Sequence, residues 1–149
     1  MLYSPEVGQL AQEFGAHTRF NSSLPTALNE LAILIVARDW TAQFVWWAHK
    51  RIAVQEGVPV DLINAIASQS MPPANLREDL DVVYRFCSEL IQNRAVSDLS
   101  FEGVRRLFGE RGVVDLMATL SYYTFVCMSL NVDGYPLPEG VKPELLPKG

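Results

Sequence analysis

Glu30 and His49 are the acid and the base best placed to act together in this chain, nineteen residues apart in one apolar stretch, residues 29–57. Trp40, Phe44, Trp46 and Trp47 lie between them, so all 3 tryptophans of the protein fall in this segment. A carboxylate and an imidazole within reach of each other do general acid–base chemistry. Histidine titrates nearest neutrality, and a partner fixes which ring nitrogen holds the proton. The same residues have a plainer reading: His49 as a hydrogen-bonded core histidine, Glu30 as a charge complementing the start of its helix, the tryptophans as core or subunit interface.

Both residues need helices to carry them, and the apolar spacing supplies helices along the chain. Residues 4–20 place Val7, Leu10, Ala11 and Phe14 at steps of three and four behind Ser4 and Pro5, a capping residue and a first-turn proline. Asn21, Ser22 and Ser23 break this run. Residues 24–40 restart at Pro25 and carry Leu28, Leu31, Ala32, Ile35 and Val36 on one face, while Ile33 and Leu34 make the helix apolar nearly all round and therefore central. Asp39, Thr41 and Gln43 predict a turn or kink near Trp40 before a helix to Gln55, which Gly57 ends. A short helix over 59–67 and a loop over 68–75, with its paired Pro72 and Pro73, come next. Then follow a helix over 76–95, one capped by Ser100 and closed by Gly112, and a last long one over 113–132. No alternating strand pattern is present, so the expectation is an all-α single domain of about seven helices over residues 1–132. The Pro- and Gly-rich tail, residues 133–149, is expected either to lie across a neighbouring surface or to be mobile.

A chain of 149 residues builds one core rather than two. Its side chains are 49% hydrophobic and 19% charged, a surplus of apolar surface that points to a subunit interface. The net charge of −5, without clustered Lys and Arg, argues against nucleic acid as a partner. The 2 cysteines, Cys87 and Cys127, lie in separate apolar runs with neither metal-ligand nor CxxC spacing, and read as buried reduced thiols of a cytoplasmic protein. The first residues lack the basic and apolar regions of a secretory signal. Residues 113–132 are long enough to span a bilayer but carry Asp115, Thr119, Ser121, Thr124, Ser129 and Asn131, so a buried helix and no membrane partner are expected.

Residues 30–66, from ELAILIVARDW through FVWWAHK to DLINAI, resemble the core motif of the carboxymuconolactone decarboxylase family, which also contains the alkylhydroperoxidase D proteins. The resemblance extends more loosely over residues 107–132, the PLPEG at 136–140 and the preamble at 4–25. It implies an alkylhydroperoxidase D-like helical bundle whose paired central helices build a homo-oligomer, a trimer or a hexamer. The peroxidase branch places two cysteines and a first histidine where this chain has Ala42, Val45 and Phe44, and a second histidine at His49. Both thiols are absent, so a disulfide relay is not expected. The other branch reads Glu-Tyr-Glu-Trp-x-x-His where this chain has Gln43, Phe44, Val45, Trp46 and then His49. Trp46 and His49 are kept, three residues apart on one helix face. Gln43, Phe44 and Val45 stand in place of two acids and a hydroxyl, which leaves the pocket more apolar.

The activity this resemblance implies is decarboxylation of a small carboxylated lactone or β-keto acid, with no metal and no organic cofactor. Loss of CO2 leaves an enolate, which asks for an apolar pocket, a donor to the oxyanion and an acid to protonate carbon. In that scheme His49 is the proton donor, Glu30 orients it, Trp46, Phe44 and Trp47 wall the pocket, and Arg19 with His17 closes over the anionic substrate; the plainer reading of Arg19 and His17 is a solvated helix end. Of Tyr122 and Tyr123, adjacent and so about 100° apart on a helix, at most one offers a hydroxyl to the interior. The alternative is a non-catalytic or ligand-binding oligomer that keeps the scaffold.

Overall fold

A computed structural model describes residues 4–147. Residues 1–3 and 148–149, the outer ends of the expected domain and tail, lie outside the described residues. The described residues form an all-α fold of six helices with no strand: α1 Pro5–Phe20, α2 Thr26–Asp39, α3 Gln43–Gln55, α4 Val60–Ser68, α5 Glu78–Asn93 and α6 Asp98–Val132.

α2 holds no glycine or proline and is apolar nearly all round, so water has no face to claim. Every residue from Ala27 to Arg38 is buried. The helix packs on α3, α4, α5 and α6 and is the centre of the core. Leu28, Leu31, Leu34 and Val36 are 0% exposed, and each such burial is worth about 1.5–3 kcal/mol. The helix ends where polar residues interrupt it: Trp40 closes the last turn and Thr41 takes a left-handed φ of 48° before α3 begins. α3 turns Val45, Trp46 and Ala53 inward, and His49, four residues after Val45 and four before Ala53, shares their stripe.

Two expectations about the last helical region are corrected. The chain does not separate at Gly112; one 35-residue element runs from Asp98 to Val132 and bends at Gly109, whose φ of 68° and ψ of −179° only glycine adopts at little cost. Gly112 is helical and buried, and a Cβ there would lie 2.3 Å from Cβ of Phe108, so its smallness serves packing. The cap is Ser97, whose hydroxyl accepts from the Ser100 N–H at 3.3 Å, while the Ser100 hydroxyl donates to Glu89 at 2.6 Å. α6 is long and apolar enough to cross a membrane. Its buried polar groups nevertheless find partners within the chain. Asp115 accepts from the N–H and hydroxyl of Ser23 at 2.8 and 2.6 Å, and Thr119 donates to Asn29 at 3.3 Å.

The tail lies across its own chain. Gln43 at the start of α3 reads its backbone on both sides. The Gln43 carbonyl accepts from Glu144 N at 3.1 Å and Leu145 N at 3.2 Å, and its amide donates to Leu145 O at 2.7 Å. Leu145 is buried, the Glu144 carboxylate pairs with Lys50, and Tyr135 meets the Phe44 ring edge-on at 4.7 Å.

Candidate functional site

α2 and α3 run side by side, and their facing stripes bring Glu30 and His49 together. His49 Nδ1 lies 2.8 Å from Oε2 of Glu30, with side chains only 13% and 9% exposed. A carboxylate only accepts, so beside Glu30 the proton belongs on Nδ1, and no hydrogen bond to Nε2 is seen among the described residues.

The third member of the site comes from α6. Tyr123 is 4% exposed and sets its ring edge against His49, centroids 4.8 Å apart at 84°. Burial pushes its phenol above the ordinary range, the Glu30 charge adds to this, and Arg19 partly opposes it. Tyr123 therefore stays protonated near neutrality, an O–H beside the carboxylate–imidazole pair. Adjacent residues point about 100° apart on a helix, so at most one of Tyr122 and Tyr123 turns inward. The spacing Leu116, Leu120, Tyr123, Cys127, all buried, carried the answer.

The other expected site residues are placed differently. Arg19 is exposed near the end of α1, its guanidinium 5.3 Å above the Phe20 ring, yet close enough for its charge to act on Tyr123. His17 acts instead on Asp115, whose carboxyl burial pushes up and the Ser23 donors, Arg111 and His17 bring below its usual value. Trp46 is 1% exposed and directs its indole N–H to Glu144 of the tail at 3.4 Å. Phe44 and Trp47 pack on one another, centroids 5.5 Å apart, with Tyr135 and Arg51 as their further partners. Trp47 stands about 160° round the helix from His49, so these two rings form an aromatic cluster under the tail.

The two thiols are buried and free. Burial drives Cys87 upward, and burial with the charge of Asp39 pushes Cys127 up to about 12, so neither is a nucleophile near neutrality. Among the described residues no cluster of three or more His, Cys, Asp or Glu is placed to hold a metal. Three of the cavities on the described surface, of about 590, 820 and 530 Å³, have none of Glu30, His49 and Trp46 in their walls. No family model, no curated protein and no solved structure matches the chain.

Proposed function

We propose that the protein is an acid–base enzyme whose proton-transfer group is His49, a lyase without an organic cofactor that takes CO2 from a small carboxylated lactone or β-keto acid. The observation that carries this reading is the 2.8 Å contact of His49 Nδ1 with the buried Glu30 carboxylate. The C–C bond to the carboxylate breaks, CO2 leaves, and its electron pair enters the enolate. The Nε2 proton of the imidazolium then goes to carbon, while Nδ1–H stays on Glu30. Tyr123, kept protonated by burial, is the donor offered to the enolate oxygen. The resemblance of residues 30–66 to the carboxymuconolactone decarboxylase family supports the same class and, with it, a homo-oligomer. Buried reduced thiols suit the cytoplasm.

The test is CO2 release from a panel of carboxylated lactones and β-keto acids by the wild-type protein and His49→Ala. Turnover by the wild type, lost in a variant that keeps its helical circular dichroism, supports the reading. A second reading has its own observation: the Trp46 N–H and the Phe44 ring are engaged by the tail rather than by a pocket at His49. It makes the protein a ligand-binding scaffold, and a wild type without turnover on the whole panel favours it.

A further inference from the structure

Arg38 is 5% exposed, and the acceptors of its terminal nitrogens are both neutral: Nη1 donates to the Thr41 hydroxyl at 3.1 Å and Nη2 to the Gln69 side-chain oxygen at 2.9 Å. Its Nε is buried with no partner among the described residues. Guanidinium has five N–H donors, so Nε–H and one N–H on each terminal nitrogen remain. Both acceptors sit in strained backbone. Thr41 has φ 48° and Gln69 φ 55°, two of the three non-glycine residues with positive φ among those described. A β-branched residue in that region is an outlier, and such strain persists where the surroundings hold a side chain for a purpose.

Arg38 lines a cavity of about 530 Å³ between the end of α2, the loop after α4 and α5. Ile35, Ile66, Ile91 and Met71 give it apolar walls, and Tyr84 and Ser88 add hydroxyls. Asp39 also lines it and is engaged by interactions of its own. The N–H left on each terminal nitrogen of a guanidinium suits the oxygens of a carboxylate, and the isoleucines fit an apolar body. We propose that this cavity is a binding site for a small monocarboxylate with an aromatic or branched apolar body, held by Arg38. The site lies eight residues beyond Glu30, about 12 Å along α2, and the inference stands apart from the acid–base reading.

Benzoate is the probe, with inorganic phosphate as the anion that has no apolar body. Benzoate should raise the melting temperature of the whole protein by about 3–5 °C for each tenfold rise of free ligand above Kd. The rise should vanish in Arg38→Gln, persist in His49→Ala, and be absent with phosphate. In amide NMR spectra, benzoate should move the signals of Gln69 and Ser88. Should Arg38→Gln not fold, Ser88→Leu, which narrows the cavity without touching Arg38, should weaken benzoate binding at least tenfold. An unchanged melting temperature with benzoate, a shift that survives Arg38→Gln or Ser88→Leu, an equal shift with phosphate, or one lost in a folded His49→Ala overturns the proposal. Because His49→Ala retains this site, failure here and failure of the lyase reading are told apart.

Discussion

Alanine at His49, at Glu30 and at both should reveal a strong energetic coupling. The contact is 2.8 Å between groups 13% and 9% exposed, so solvent screens it little. A hydrogen bond to a charged group contributes about 1.5–3 kcal/mol. The two single variants should not cost the same. His49→Ala leaves a carboxylate shielded from water without its partner, at about 3–5 kcal/mol, whereas Glu30→Ala leaves a neutral imidazole and should cost about 1–3 kcal/mol. The double variant should recover about 1.5–3 kcal/mol relative to the sum of the singles. Urea unfolding followed by circular dichroism measures all four proteins, at one protomer concentration because assembly would make the midpoints concentration-dependent. A coupling below about 0.5 kcal/mol, the error of additivity for independent sites, would refute the pair and remove the observation on which the lyase reading rests.

Other substitutions probe the frame around the site. Gly109→Ala should cost about 1–3 kcal/mol through backbone strain alone, since φ is 68° and nothing lies within 4 Å of the added Cβ; thermal unfolding with an unchanged spectrum checks it. Gly15→Ala would place a Cβ 2.2 Å from the Tyr122 hydroxyl and should cost about 1–3 kcal/mol. In a Tyr122→Ala background the same change should become stabilising by up to about 1 kcal/mol, the helix propensity of alanine over glycine. Gln43→Ala removes the bonds to Glu144 and Leu145, so amide exchange in residues 135–147 should quicken while α2 stays protected. Asp115→Asn weakens the hold on Ser23. Because the native carboxyl lies below its usual value, the stability it adds is present above the unfolded pKa and lost as pH falls through the folded one. The wild type's advantage over the variant should therefore shrink on acidification, read from urea midpoints between neutral and acid pH.

The helices and the acid–base pair were legible because both rest on local periodicity. A run such as LNELAILIVA has no polar face, so α2 had to be central, and Glu30 and His49 were the acid and base on the stripes that such a helix and its neighbour turn inward. What failed was the choice between equivalent signals. Ser97 and Ser100 are both able to cap, and which does so depends on where Glu89 of α5 reaches across to hold the second hydroxyl. Gly109 and Gly112 stand three residues apart, one needed for its φ and the other for its smallness, and sequence carries no mark that separates those uses. Arg38 was missed because a lone arginine at the end of an apolar helix reads as a solvated terminus; its burial needs Gln69, which is 31 residues away.

The tail explains the segment before His49 better than the loss of chemistry does. The resemblance implies two acids and a hydroxyl at Gln43, Phe44 and Val45, and their replacement first reads as an active site stripped of polarity. Each of the three side chains has another use here. Gln43 binds the tail backbone at Glu144 and Leu145, Phe44 packs against Tyr135, and Val45 is 2% exposed in the core. An acid at position 43 has no N–H to donate to the Leu145 carbonyl. Gln43 and Phe44 therefore serve the tail that closes over the start of α3, while Val45 serves the core. Of the remaining polar groups, Glu30 and Tyr123 come from α2 and α6, while His49 stands on α3 between Trp46 and Lys50, and Glu144 of the tail reaches both of these neighbours.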